Sequence, residues 1–314
     1  MHMRIKRLLA LLALLAAGLC TSALAETGLA HYLLLGVDGW GTNESGEARS
    51  DAIMLASLDY GRDKIIITSF ARDSLVEPSY RNGVVKLNAL VRSSGGEQVL
   101  MDYLEETYEI PISGYFAIDF TGTVYLIDAI GGITVNLTGE EAAYLKKHAG
   151  NYDGYRLKAG RCRINGAQAL YYMRCRSLDN DFGRQGRQGN VLRALLDEVR
   201  EITPLELIML LDEVLSMYRT DLSPAQQLEL GYRALSLRDA ELYVHSIPTE
   251  GTYRYGKDSQ GASGLEFDVE ESRRQLYREL GYEVEEEPCE AEAEDEALPE
   301  NMDEYHDMNA GAGT

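Results

Sequence analysis

The chain has 314 residues and is 45% hydrophobic, enough for a real core in one large domain or two small ones, which sets it apart from disordered chains. Its formal net charge is −21, but residues 283–314 hold 13 Asp or Glu and no Lys or Arg, so the body is only mildly acidic. No domain-wide basic stripe is present, which argues against a nucleic-acid partner held through its phosphates.

The first segment reads as an export signal. Arg4, Lys6 and Arg7 precede an apolar run from Leu8 to Leu19, and Ala23-Leu24-Ala25 offers a small-x-small cleavage site. Residues 1–25 are therefore expected to be a signal peptide cleaved after Ala25, or an uncleaved anchor, since Leu8 to Ala25 is just long enough to span a bilayer. Bulky Leu19 before Cys20 argues against a lipoprotein site. Beyond Cys20 stand Cys162, Cys175 and Cys289, an odd number that forbids complete pairing within one chain. Cys162 and Cys175 are open to two readings, a disulfide of an oxidising compartment or a pair of small buried thiols.

Apolar runs at Tyr32 to Val37, Ala52 to Leu58 and Lys64 to Phe70 predict three strands, the last two joined by a hairpin-type turn at Tyr60–Asp63. Ser94 to Tyr108 predicts a helix with Val99, Leu100, Tyr103 and Leu104 on one face, and Tyr115 to Phe120 a strand. A short helix over Thr123 to Ile130 should close at Gly131-Gly132, before a strand at Ile133 to Leu137. Glu140 to His148, Asn165 to Met173 and Phe182 to Ile202 follow as helices, the last with Val191, Leu192, Leu195 and Val199 inward. Helices near Leu205 to Met217 and Pro224 to Leu235, a strand at Glu241 to Ile247 and a helix at Val269 to Leu280 complete the pattern. Strands interleaved with helices imply an α/β sandwich, a central mixed sheet flanked by helices. The acidic tail from Glu283 has little to bury and should be disordered.

The densest chemistry lies between Arg174 and Gln188, where Arg174, Arg176, Arg184 and Arg187 share fifteen residues with Asp179 and Asp181. Guanidinium forks match phosphate oxygens two at a time, so a phosphate or pyrophosphate is the natural guest. Arg184, Arg187 and Gln188 fall on one face at the start of a predicted helix, where backbone N–H groups and the helix dipole also favour an anion. Asp38 ends the first strand and Arg49-Ser50-Asp51 opens the second, so both aspartates can share one sheet edge, in outline a hard-cation site. Arg72-Asp73 ends the third strand and repeats the pattern, although each such pair alone would read as a turn or a surface ion pair.

In order along the chain stand Gly36-Val37-Asp38, Arg49-Ser50-Asp51, Ala71-Arg72-Asp73-Ser74, Lys86-Leu87-Asn88, Asp128-Ala129-Ile130-Gly131-Gly132-Ile133, the run Asn165 to Arg176, and Asp181-x-x-Arg184-x-x-Arg187-Gln188. Together these motifs resemble the LytR-CpsA-Psr family over about residues 30–200, within a domain expected to span 30–282. The resemblance implies a bacterial envelope phosphotransferase that moves an anionic glycopolymer, of teichoic acid or capsule type, from a polyprenyl-pyrophosphate carrier to peptidoglycan. It also implies magnesium at Asp38 and Asp51, and a pyrophosphate held by Arg49, Arg72, Arg174, Arg176 and Arg184, with Lys86, Arg187 and Gln188 in support. Asp73 is the first candidate for the base and Asp181 the second, with Arg72 part of the catalytic set. An exported protein on the outer face of the membrane or in the cell wall would suit that role. Two motif positions depart from the family's habit: Ala71 stands where Pro is usual, and Ala89 where His is frequent. The first change should loosen the turn that aims Arg72, and the second weakens the case for a histidine base. The same site with water as nucleophile would be a pyrophosphatase, and without turnover a lipid-binding protein or regulator. The carrier lipid calls for a greasy groove beside the site, and the chain's tyrosines suit either packing or stacking on sugars.

Overall fold

Three runs rich in Leu and Ile become strands β1 (Leu29–Val37), β2 (Ser50–Asp59) and β3 (Lys64–Phe70). The computed structural model describes residues 28–38, 50–80, 82–92, 96–152, 155–179, 181–203 and 217–283, without the side chains of Arg92 and Asp181. The export signal, Arg49, the Asp181 carboxyl, Cys289, all but the last residue of the helix expected over Leu205 to Met217, and the tail after Glu283 lie outside the described residues. β2 pairs antiparallel with both β1 and β3, and the Asp59 carboxylate closes the β2–β3 turn by accepting from the Gly61 and Arg62 amides at 3.0 and 2.9 Å. Ile53 to Ala56 are buried without alternation, as in a strand covered on both faces.

Beyond β3 the chain forms a short ladder of β4 (Leu75–Val76) and β5 (Val85–Lys86), then a 3-10 turn at Leu87–Arg92. Helix α1 (Glu97–Tyr108) begins later than expected because Gly96, with φ of 51°, breaks the helical backbone before it. Its buried face is Leu100, Met101, Leu104 and Tyr108, and Tyr103 packs on the same core. Strand β6 (Tyr115–Asp119) runs parallel to β1, and its last residue caps α2 (Phe120–Ala129) by accepting from the Gly122 amide at 2.7 Å. β7 (Ile133–Leu137) pairs with β8 (Gly160–Ile164) around α3 (Gly139–His148). Capping boxes start α3 at Thr138 and α4 (Gly166–Arg174) at Asn165.

The long helix α5 (Asp181–Glu201) is followed by β9 (Tyr218–Thr220), α6 (Pro224–Ala234) and β10 (Glu241–Ile247). A hairpin of β11 (Tyr253–Lys257) and β12 (Ser263–Phe267) then leads into α7 (Val269–Leu280). Six strands form one mixed sheet in the order β10-β3-β2-β1-β6-β9. One face buries Leu33, Leu35, Ile53, Leu55 and Phe70 against α1 and α7, and the other packs Met54, Ala56 and Ile67 with Leu192 of α5. A further core joins β7 and β8 to α2 through α5. The fold is thus the α/β sandwich expected. No helix among the described residues is long and apolar enough to cross a membrane.

Candidate functional site

Strand direction decides where the motifs meet. β1, β3, β6 and β10 all finish at one edge of the sheet, and antiparallel β2 starts there, with Val37 opposite Ser50 and Ile53 opposite Phe70. Carboxyl ends of parallel strands are the usual place for ligands in α/β sheets. Asp38 therefore follows β1 at the edge where Ser50-Asp51 opens β2, while Ala71-Arg72-Asp73 continues from β3 along the same edge.

Arg72 lies between two carboxylates. Its Nη1 donates to Asp51 Oδ1, and its Nε stands 3.4 Å from Asp73 Oδ2. Lys86 Nζ donates to Asp73 Oδ1 at 2.8 Å, and Arg176 Nη2 reaches Asp51 Oδ1 at 3.5 Å. The Lys86-Leu87-Asn88 motif also braces the turn through backbone, since the Asn88 amide donates to Arg72 O at 3.1 Å and the Leu87 amide to Ser74 O at 2.8 Å. Burial works to raise the Asp73 carboxyl, but the Lys86 hydrogen bond and the charges of Arg72, Lys86 and Arg184 prevail and hold it below its usual range. Asp73 is therefore firmly ionised and a poor base while these cations face it.

Ala71 corrects an expectation. Its amide donates to Ile247 O on β10 at 2.8 Å, a bond that proline has no hydrogen to make, and the side chain is fully buried. The turn aiming Arg72 is held by the neighbouring strand rather than by a proline ring.

Helix α5 brings Arg184 and Gln188 inward, 2% and 7% exposed, with the Arg184 charge acting on Asp73. Arg187, expected to support the phosphate, turns elsewhere. Its two Nη atoms donate to the Asp179 carboxylate at 2.7 Å each, and Nη2 also donates to Cys175 O at 2.7 Å. Glu141 of α3 stands 3.7 Å away. This buried fork ties the loop carrying Arg176 onto α5, so Arg187 positions the loop. Its partner Asp179, held below the usual carboxylate range by that hydrogen bond, was given no role from sequence although it lies within the motif. Arg174 sits over the Phe120 ring at 4.1 Å, which places it where β6 passes into α2. Cys162 and Cys175 are both buried free thiols, so of the two readings the unbridged one holds.

Among the described residues no three His, Cys, Asp or Glu gather as a metal cluster. Asp38 and Asp51 supply two oxygen donors at one edge, which suits a magnesium-type ion that keeps waters and shares phosphate oxygens with its substrate. Just past Ser74 opens a cavity of about 640 Å³ between β4, α1 and β12, whose walls mix apolar Leu75, Val76, Tyr103, Phe267 and Val269 with charged Glu77, Glu106, Arg254 and Glu266.

The profile of the LytR_cpsA_psr family matches residues 21–275. The chain is 32% identical over 187 residues to a protein of Oceanobacillus iheyensis named polyisoprenyl-teichoic acid–peptidoglycan teichoic acid transferase TagU, covering 57% of this chain and 54% of that one. A TagU of Enterococcus faecalis is 32% identical over 209 residues, 64% of this chain and 65% of that one. The chain thus spans between about half and two thirds of the length of these curated relatives. A solved structure of TagT bound to LIIa-WTA shares the fold, with a TM-score of 0.65 and 22% identity over 81% of this chain and 91% of the other. A profile that runs through every strand of the charged edge, together with relatives that share its sequence, makes this chain a member of the LytR_cpsA_psr family.

Proposed function

We propose that the protein transfers an anionic glycopolymer, of teichoic acid type, from a polyprenyl-pyrophosphate carrier to peptidoglycan at the outer face of the membrane. The observation that carries this reading is the sheet edge where Arg72, Lys86, Arg176 and Arg184 converge around Asp51 and Asp73. The names of the relatives, transferases acting on polyisoprenyl-teichoic acid and peptidoglycan, point the same way.

In the proposed reaction a peptidoglycan hydroxyl attacks the phosphorus nearest the glycopolymer. A new P–O bond forms, the bond to the bridging oxygen breaks, and polyprenyl phosphate leaves with the electron pair. Negative charge grows on that leaving phosphate, and guanidinium groups fixed beforehand by Asp51 and Asp73 stabilise it without reorganising. The carboxylates keep the cations in place until the anion arrives. The pyrophosphate then takes over part of the charge of Arg72 and Lys86, which returns basicity to Asp73 and suits it to receive the hydroxyl proton, with Asp181 the second candidate. Magnesium held by Asp38 and Asp51 would add positive charge against the phosphate oxygens. The lipid's first isoprene units would lie along the side of the cavity formed by Leu75, Val76, Tyr103 and Phe267.

The test incubates the protein with a polyprenyl-pyrophosphoryl sugar and a peptidoglycan fragment, with and without magnesium, and follows products by mass spectrometry. Transfer should fall at least about a hundredfold in Arg72→Ala and in Asp51→Ala. Free sugar phosphate without ligated product would replace the transferase with a pyrophosphatase, and an intact but bound lipid would leave a binding protein.

A further inference from the structure

Beside the charged edge stands a cluster of rings that neither the core nor the proposed chemistry uses. Tyr253 on β11 stacks on Phe182 in the first turn of α5, with centroids 5.2 Å apart and planes at 21°. Tyr255 meets Tyr253 edge-on at 5.8 Å and 88°, and it is 75% exposed, the most exposed large hydrophobic side chain among the described residues. Packing does not account for a ring left this open to water.

The hairpin bearing the tyrosines is pinned to the site. The Leu265 amide donates to Asp73 O at 2.9 Å, and the Ser259 amide at the hairpin tip donates to Val84 O at 2.9 Å. The Asp258 carboxylate closes the tip by accepting from the amides of Gln260 and Ala262. Tyr255 lies directly across the ladder from Leu265. With neighbouring strands about 4.8 Å apart, its backbone stands roughly 10 Å from that of Asp73. On the other side, Phe182 precedes the buried Arg184 by two residues on the same helix.

Flat rings on a pinned hairpin at the rim of the proposed phosphate site match the C–H face of a pyranose, which packs on an aromatic plane while its hydroxyls stay in water. Arg254, between the two tyrosines in sequence, is paired with Glu266 at 2.8 Å, so its charge is balanced on the hairpin and the rings suit an uncharged sugar better than a phosphate. A glycan strand of peptidoglycan is too long to enter an enclosed cavity and meets the protein across open surface, whereas the donor is held by its pyrophosphate and lipid. Resting on the transferase reading, we propose that Phe182, Tyr253 and Tyr255 form a stacking platform that seats the acceptor glycan strand and presents its hydroxyl to the charged edge.

The test titrates the full chain and its Tyr253→Ala, Tyr255→Ala and Tyr255→Phe variants with an N-acetylglucosamine tetramer, by saturation-transfer NMR and calorimetry. Transfer rates are then measured against acceptor concentration and, separately, against donor concentration. Each alanine should weaken tetramer binding roughly fivefold to tenfold and raise the acceptor KM by a similar factor, while Tyr255→Phe restores both. Equal tetramer binding in all variants would overturn the platform and leave the tyrosines a packing role. A change in donor KM in place of acceptor KM would overturn the acceptor assignment and give the rings to the donor's sugar. The titration contains no donor lipid, so tetramer binding that depends on the rings in a protein without transfer would keep the platform and remove the transferase reading.

Discussion

The two ends of the central sheet use polar side chains in opposite ways. Where β1 and β3 finish, Asp51, Arg72, Asp73, Lys86 and Arg176 are charged, paired with one another and partly open to water. Where β1 begins, His31 is 1% exposed and bonded at 2.8 Å to Ser57 and at 3.0 Å to Tyr282, and burial lowers its pKa to about 4. It is neutral at pH 7. One end keeps charges half-solvated, where the anion of the proposed reaction would re-pair them, while the other keeps His31 neutral with both ring nitrogens bonded. Desolvation sets the difference, because a charge costs far more to bury than a hydrogen-bonded neutral group.

The comparison is most severely tried by two arginines of the same motif set. Arg187→Ala should lower stability by about 3 kcal/mol, since it strips both hydrogen bonds from Asp179 and leaves Cys175 O without its buried donor. Arg72→Ala should lower it by only about 1 kcal/mol, because Lys86 and Arg176 still face the two carboxylates, and should nevertheless remove transfer. Urea unfolding of the two variants side by side measures this, and equal losses would erase the distinction between the guanidinium that braces the loop and the one at the proposed anion site.

The neutral end makes a pH prediction with a definite sign. The folded state holds His31 near 4 against 6.5 for the unfolded chain, so on acidification the unfolded state takes up the proton first. Stability should therefore fall as pH drops from about 6.5 to about 4, by up to about 3 kcal/mol, and be unaffected by this residue above that window. Thermal melts across that range should show the fall, and His31→Gln should flatten it. A smaller effect belongs to the charged end. Lys86→Met removes the hydrogen-bonded cation that holds Asp73 down, so the acid limb of the kcat/KM profile should move to higher pH, with a loss of about tenfold, or about 1.4 kcal/mol. An unchanged acid limb would take Asp73 out of the titration.

Much of this contrast is legible in the residues. Lys64–Phe70, Ile133–Leu137 and Glu241–Ile247 are strands with the expected bounds, and Val269–Leu280 is the expected helix, because long apolar or amphipathic runs flanked by Gly, Asp or Pro leave little choice of period. Strand ends bearing Asp38, Asp51 and Arg72 had to meet once the directions of β1 to β3 were known. What sequence conceals is anything fixed by a distant partner. β8, β9 and the β11–β12 hairpin have five residues or fewer per strand, the first three rich in Arg or Tyr, and β12 is registered by its bond to Asp73 rather than by a pattern of its own. Arg187 and Arg184 are the same residue type one helical turn apart, and only the position of Asp179 decides which of them braces the loop.

The contacts at the neutral end have a consequence for how the domain can be handled. Tyr282 bonds His31, and Arg62 donates to Leu280 O and Gly281 O at 3.2 and 3.4 Å, so the start of β1 and the end of α7 lie side by side. A short linker between these two points would close the backbone into a ring, and the ring could be reopened between the exposed residues Asn151 and Tyr152. Such a permuted protein keeps its charged edge untouched, and the same neighbouring ports would let the whole unit be spliced as a cassette into a surface loop of another protein.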